Sequence, residues 1–287
     1  MAQISFRPLS PTFGAEARNV DLSAPLTEDL KRQLRDGWHK YKVLVFRDQP
    51  IGRREHLELG RVFGVPEVHP AYRNAEFPEI LEIKANAGET HAHWKSYKLG
   101  WWHTDVSFQP KPPSAAILRA VQLPPAGGDT GFLDAAAAYA RLDDEMKDRI
   151  NGLFAEHSPG FERQVSDPDK VKELDAANPP SIHPVVTVHP DTGERILFVN
   201  EYFTTRIVGV DELESERLLN FLLRHIQKPE FQLRVQWQPN SLVLWDERAT
   251  QHYAIKDYSE ARHLERVALA GTAPQPVADR ESIEESA

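Results

Sequence analysis

Residues 241–254 read SLVLWDERATQHYA. The run 241–246 is apolar and short, and it reads as a strand buried on both faces. Just past it, the polar stretch ending at His252 places an imidazole close to a buried strand. Working outward, the segments 42–46 (KVLVF), 79–85 (EILEIKA), 115–121, 183–188, 195–200, 231–237 and 265–270 also read as short β segments. The 22 prolines and 15 glycines are spread along the chain, so turns separate these strands throughout. Many short strands punctuated in this way point to a sandwich or jelly roll.

Helices flank the strands. Thr27 is an N-cap candidate for a helix through about Lys40, with Leu30, Leu34 and Trp38 as its buried stripe. Arg53–Phe63 reads as a second helix, closed by Gly64 and Pro66. Residues 143–154 and 211–226 also have helical character. Residues 86–101 show little apolar periodicity but contain Trp94, Tyr97 and Trp101. A long segment of this kind in a compact domain is expected to be a lid or binding loop. The expected organisation is one domain over 1–272, followed by a polar, frayed tail over 273–287 that ends in DRESIEESA.

The chain has 287 residues and a formal charge of −9. Such an acidic chain is a poor electrostatic partner for nucleic acid or an anionic membrane. A small anionic ligand would need local arginine or histidine. There are no cysteines, which excludes disulfides, thiolate metal sites, iron–sulfur clusters and cysteine nucleophiles. That composition fits the cytoplasm. The N-terminus has no apolar stretch of signal-peptide length, and nowhere do about 18 apolar residues run uninterrupted. With no thiols, the 12 histidines are the natural transition-metal ligands.

Two of these ligand types stand together in WWHTDVSF, residues 101–108: His103 and Asp105 are two apart. On a strand, positions i and i+2 share a face, so the imidazole and carboxylate can meet one ion. His252 supplies a third ligand. Two histidines and one carboxylate on one face of an octahedron suit non-haem Fe(II) that activates oxygen. The same ligand types are also accepted by zinc, which would make a hydrolase with a metal-bound water. His39, His56, His157, His183, His189 and His225 lack comparable neighbours and read as structural or exposed.

Beyond His252 runs KDYSEARHLERVALAG, residues 256–271. Arg262 and Arg266 are four apart and share a face if the stretch is extended. Two inward guanidiniums would require anions, and the planar fork of arginine suits carboxylate or sulfonate oxygens. The alternative is an outward face with Glu260 and Glu265 as salt-bridge partners.

Taken together, these residues resemble the taurine/2-oxoglutarate dioxygenase family. The markers are WHTDVSF around His103, GGDT at 127–130, HPVV at 183–186, LFVNEYFTTRIV at 197–208, WQPN at 237–240 and WDERATQHYA at 245–254. They stand in the family's order and cover the chain from about Phe6 to Gly271. The resemblance implies a mainly β fold with flanking helices around a double-stranded β-helix, or jelly-roll, core. It implies Fe(II) held by His103, Asp105 and His252, with 2-oxoglutarate as co-substrate and molecular oxygen as oxidant. It matches Thr130 and Arg262 to the residues that hold the distal carboxylate of 2-oxoglutarate. Arg266 matches the arginine for the anionic end of the prime substrate. His69, Tyr72 and Phe203 match further substrate-contacting positions. A small anionic partner and a homo-oligomer follow from the same resemblance.

The implied reaction hydroxylates the carbon next to a sulfonate or sulfate ester, releasing sulfite or sulfate and an aldehyde beside succinate and CO2. The carboxylate of Asp105 argues for hydroxylation, because related halogenases lack it. Leu99 stands where the taurine-specific member has a polar Asn. With the aromatic residues of 86–101, it points to an alkyl or aryl sulfonate or a sulfate ester. A carboxylate substrate, as in aryloxyalkanoate-degrading relatives, also suits Arg266. A non-catalytic binding module would be expected only if a ligand position were missing, and none is.

Overall fold

A computed structural model describes residues 3–68, 75–88, 101–160 and 167–278. Six helices and sixteen short strands are formed by these residues. In chain order the first are β1 (Ser5–Pro8), β2 (Ala15–Arg18), α1 (Glu28–Tyr41), β3 (Val43–Phe46), α2 (Arg53–Phe63), β4 (Ile80–Ala85), β5 (Ala115–Gln122) and β6 (Thr130–Asp134). Next come α3 (Ala135–Ala140), α4 (Asp144–Ile150), β7 (Phe154–His157), α5 (Pro168–Ala177), β8 (Ser181–Pro184), β9 (Val186–Val188), β10 (Arg195–Leu197) and β11 (Thr204–Val208). The last are α6 (Glu212–Ile226), β12 (Gln232–Val235), β13 (Leu242–Asp246), β14 (Thr250–Ala254), β15 (Arg262–Leu269) and β16 (Gln275–Pro276). None of the described helices is long and apolar enough to cross a membrane.

The chain divides into two compact units. The first comprises Met1–Gly100, Pro113–Phe132 and Leu233–Gly271. Its frame is a seven-stranded sheet in the order β1-β2-β3-β13-β5-β15-β4. β13 lies between β3 and β5, with Trp245 opposite Val43 on one side and Ala116 on the other. A strand paired on both sides and covered on both faces is buried throughout: all five residues of β13 are buried, four of them apolar and the last the carboxylate of Asp246. Side chains alternate between the faces. Leu44, Phe46, Ile117, Leu242, Leu244, Val267 and Leu269 pack under α1 and α2 against Leu34, Trp38, Leu57 and Leu59. Val43, Val45, Ala116, Leu118, Val243, Trp245 and Leu264 form the opposite face with Phe13, Phe132 and Val235.

The helices follow their sequence signals. Thr27 caps α1 by accepting from the Leu30 N–H at 3.3 Å, and Leu34 and Trp38 are the buried stripe. In α2 the Glu55 carboxylate accepts from the Gly52 N–H at 2.9 Å. His56 on the buried side of α2 lies 3.1 Å from the Ile117 carbonyl. Burial, reinforced by the Arg119 guanidinium, pushes its pKa down to about 4.

The second unit comprises Trp101–Pro112, Leu133–Gln232 and Thr272–Ala287. It contains two three-stranded sheets, β10-β9-β16 and β11-β7-β8. A third three-stranded sheet, β12-β6-β14, completes the topology. α6 is capped by Asp211, whose carboxylate accepts from the Glu214 N–H at 2.9 Å, and it buries Leu218, Leu222 and Ile226.

Several sequence boundaries are corrected. The helix expected over 143–154 stops at Ile150, because Asn151 is extended and Gly152 takes φ +85°. Phe154 then begins β7. The single strand expected over 183–188 is two, with the break at Val185. The strand expected over 195–200 ends at Leu197. Gln275 and Pro276 pair with Val188 and Thr187 of β9, so the polar tail begins as paired strand rather than frayed chain. Of the 86–101 segment, Trp94, Tyr97 and Leu99 lie outside the described residues.

His56 sets an acid limit on stability. Unfolded, it takes up a proton near pH 6.5; folded, it stays neutral down to about 4. The stability it contributes is therefore complete above pH 6.5 and is lost as pH falls toward 4, by roughly 3 kcal/mol. Urea midpoints measured across this range are expected to fall, and His56→Gln should flatten the slope.

Candidate active site

In the second unit, His103 is a bridge residue and Asp105 opens a turn, rather than both lying on a regular strand. Val106 takes φ +41°, and the turn closes with Gln109 N–H on the Val106 carbonyl at 2.8 Å. The two side chains nevertheless converge as expected. His103 Nδ1 lies 3.0 Å from the Trp101 carbonyl, so Nδ1–H donates there and the Nε2 lone pair is left for a ligand. That Nε2 is 3.5 Å from Asp105 Oδ1. Around them stand aromatic rings: Tyr202 at 5.8 Å and Phe203 at 6.2 Å from His103, with Trp101 5.3 Å from Tyr202. Phe203, matched to a substrate wall in the sequence, therefore stands beside His103. Tyr202 was not singled out by sequence, although it neighbours Phe203 in the same motif.

In the first unit, His252 sits on β14 itself, not merely after β13. Its ring packs 4.8 Å from Trp245 and 6.2 Å from Phe132. Its Nδ1 is 3.9 Å from Glu247 Oε2, and the other Glu247 oxygen accepts from Trp245 Nε1 at 2.8 Å. At 3.9 Å this pair is too long for a hydrogen bond, and the imidazole's orientation is held by its packing against Trp245 and Phe132.

His103, Asp105 and His252 make up one candidate ligand group of two imidazoles and one carboxylate. Among the described residues, Glu82, His263 and Glu265 form another such group. Its carboxylates are already matched by cations. Arg53 bonds both Glu265, at 2.7 Å, and Glu82; Arg119 bonds Glu265; Lys84 bonds Glu82 at 2.6 Å. Burial pushes the Glu265 carboxyl up, but the bonds from Arg53 and Arg119 outweigh it and hold it below the usual range. That cluster is an ion-pair network. The first group, with two imidazoles and a single carboxylate, has the donor chemistry of a divalent transition metal.

The arginine face is settled by β15. Arg262 and Arg266 point to the same side as Leu264, whereas His263 and Glu265 point to the other. The outward pairing with Glu265 is thereby excluded. A bulge skips Val121 on β5, not a residue of β15, so the alternation along β15 is intact. Arg262 is only 5% exposed, and its buried Nε has no hydrogen-bond partner among the described residues. Burial pushes its pKa down, partly offset by Tyr258, whose ring lies 5.7 Å from the guanidinium carbon.

Thr130 opens β6 and is buried, with its hydroxyl accepting from Trp237 Nε1 at 3.1 Å. The GGDT turn before it is clamped. Asp257 accepts from the Gly128 N–H at 2.8 Å, and Arg234 joins Asp129 at 2.6 Å to Asp257 at 2.9 Å. Gly128 takes φ +71° and lets the backbone approach Arg262 closely; a Cβ there would lie 3.1 Å from Arg262 Cδ and Nε. Trp237, Tyr258 and Gly128 were not identified from sequence as partners of this anchor. His69 and Tyr72 lie outside the described residues.

Residues 5–268 match the family described as taurine catabolism dioxygenase TauD, TfdA family. The chain belongs to that family. An alkylsulfatase from Acinetobacter baylyi is 33% identical over 280 residues, covering 94% of this chain and 86% of its own. An alpha-ketoglutarate-dependent sulfate ester dioxygenase from Pseudomonas putida is 31% identical, covering 95% and 91%. A crystal structure of a taurine dioxygenase from Burkholderia xenovorans superposes with a TM-score of 0.81 at 34% identity, covering 95% of this chain and 93% of its own.

Gly128→Ala tests the anchor's packing. The added methyl must displace Arg262 and adopt a left-handed backbone, so a loss of about 1–3 kcal/mol is expected in thermal or urea unfolding. Gly152→Ala also has a positive φ but meets no atom within 4 Å. It should cost less.

Proposed function

We propose that the chain is an Fe(II)- and 2-oxoglutarate-dependent dioxygenase that hydroxylates a small organosulfur anion, a sulfonate or a sulfate ester. His103, Asp105 and His252 would hold the iron. Thr130 and Arg262 would hold the distal carboxylate of 2-oxoglutarate. Arg266, His69, Tyr72 and Phe203 would receive the prime substrate. The elements carrying them would form a double-stranded β-helix core within one dioxygenase domain over 1–272.

The observation that carries this reading is the donor set itself: two imidazoles and one carboxylate, with His103 Nε2 3.5 Å from Asp105 Oδ1. The anchor supports it. A guanidinium that is 5% exposed with an unbonded Nε is costly unless an anion meets it, and the C5 carboxylate of 2-oxoglutarate has the fork-matching oxygens. Trp101, Tyr202 and Phe203 beside His103 favour an apolar substrate body. The relatives named for alkyl sulfate and sulfate ester chemistry point the same way.

When bound, iron supplies the site where oxygen is reduced, coupling decarboxylation of 2-oxoglutarate to hydroxylation. The protein's residues do the rest. Arg262 and Thr130 fix the co-substrate's orientation, and Arg266 draws the sulfonate or sulfate group so that the adjacent carbon faces the ligands. The aromatic rings exclude water from that carbon. Once hydroxylated, the carbon loses its C–S or C–O bond; the hydroxyl proton departs, leaving aldehyde with sulfite or sulfate, while the co-substrate ends as succinate and CO2.

Anaerobic addition of Fe(II) and 2-oxoglutarate should produce a visible charge-transfer band, and oxygen should then give succinate with sulfite or sulfate. A panel of sulfonates, sulfate esters and aryloxy acids identifies the substrate; exclusive turnover of aryloxy acids would move the assignment to a carboxylate. Turnover without oxygen would replace it with a hydrolase. Arg262→Ala is expected to weaken 2-oxoglutarate by on the order of 30–100-fold, the equivalent of about 2–3 kcal/mol for a charged hydrogen-bonded partner. Arg266→Ala should raise KM for the prime substrate while leaving the charge-transfer band in place; unchanged kinetics would refute the anion role.

A further inference from the structure

We infer that Ser107, His157 and Asn200 are positioning residues: a buried network that locks the turn bearing His103 and Asp105 to the loop bearing Phe203, so that metal and prime-substrate positions are set together. This rests on the functional reading above. It adds residues whose place in the fold, not contact with a ligand, gives them their role.

Ser107 Oγ lies 2.9 Å from Asn200 Nδ2 and 3.0 Å from His157 Nδ1. The amide can only donate, so Ser107 accepts from Asn200 and gives its own proton to His157 Nδ1. Asn200 Oδ1 in turn accepts from the Phe203 N–H at 2.8 Å, and the Asn200 N–H donates to Thr204 Oγ1 at 2.9 Å. With Nδ1 accepting, His157 carries its proton on Nε2, which lies 3.4 Å from Thr204 Oγ1, and the ring also hydrogen-bonds the Phe198 backbone. His183 holds the far end of the same turn through Nε2 on the Gln109 carbonyl at 3.0 Å, and its ring stands 5.3 Å from that of His157.

Ser107 and His157 are completely buried and Asn200 nearly so. A hydroxyl on a histidine nitrogen invites comparison with a nucleophile and its base. The comparison fails here: Ser107 is closed to solvent, and His157 meets the Thr204 hydroxyl and the Phe198 backbone rather than an orienting carboxylate. Burial, helped by His183, also pushes the His157 pKa down to about 3, so the ring is a neutral, fixed acceptor. One side chain, Asn200, thus ties Ser107, two residues after Asp105, to the backbone of Phe203. Val106 between them is in the left-handed region at φ +41°, a conformation that persists only when its surroundings enforce it.

Outer partners of metal ligands change metal affinity about 10–100-fold when lost. The test measures Mn(II) affinity by the loss of free-ion EPR signal, with no turnover involved. His157→Leu removes the acceptor; His157→Asn restores one near the Nδ1 position; Ser107→Ala removes the hydroxyl. Well below their melting midpoints, His157→Leu and Ser107→Ala are expected to bind Mn(II) about tenfold more weakly and to raise KM for the prime substrate. His157→Asn should remain within about threefold of the parent. Parent-like Mn(II) affinity in His157→Leu, or in Ser107→Ala should His157→Leu fail to fold, would overturn the network's role, as would an Asn variant as weak as the Leu variant. If the parent protein itself binds no Mn(II), the metal reading falls first and takes this inference with it.

Discussion

β15 must carry charge on both faces of a sheet that is covered on both faces. Its solution is asymmetric. Glu265 turns toward the helical side, where Arg53 and Arg119 neutralise it within the protein. Arg262 turns to the other side, where it is nearly as buried but keeps an unbonded Nε. A buried charge with incomplete pairing is expensive. The internal ion pairs therefore contribute to holding the fold, while the opposite face stores a demand for an anion. The glycine turn before Thr130, clamped by Asp257 and Arg234, brings main chain close enough to Arg262 to limit where that anion could sit.

On the ligand side, rigidity comes from different means. His252 is braced on a strand by Trp245 and faces the buried Glu247. His103 and Asp105 have no regular strand beneath them. They depend on a tight turn with one left-handed residue, held by side chains from β7 and the loop before β11. A loop can therefore present ligands with the definition of a strand when its polar groups are satisfied internally.

Much of this was legible in the sequence because it depends on local period. The four-residue spacing of Arg262 and Arg266 gives one face on any uninterrupted strand, and the bulge at Val121 happens to fall on the neighbouring strand. Leu30, Leu34 and Trp38 gave α1 for the same reason. The His103–Asp105 spacing anticipated the closeness of the two side chains for an incomplete reason, since a turn rather than a strand brings them together. Contacts between distant segments had no local signature. Trp237 with Thr130 and Tyr258 with Arg262 are separated in the chain, and His157 was one histidine among many until Ser107 stood beside it. β6 and β14 were overlooked because their apolar runs are short and broken by polar residues. α4 was drawn too long because the apolar pattern continues past Gly152 while the backbone cannot.

The order of strands in the seven-stranded sheet differs sharply from their order of synthesis. β15 lies between β5 and β4, so both present unpaired backbone edges until residues 262–269 have left the ribosome. Edges of that kind are templates for pairing with other chains. Contacts distant along the chain also form late. The nascent protein must therefore carry an open gap in its largest sheet through most of translation, and the last long strand, the one bearing Arg262, closes it.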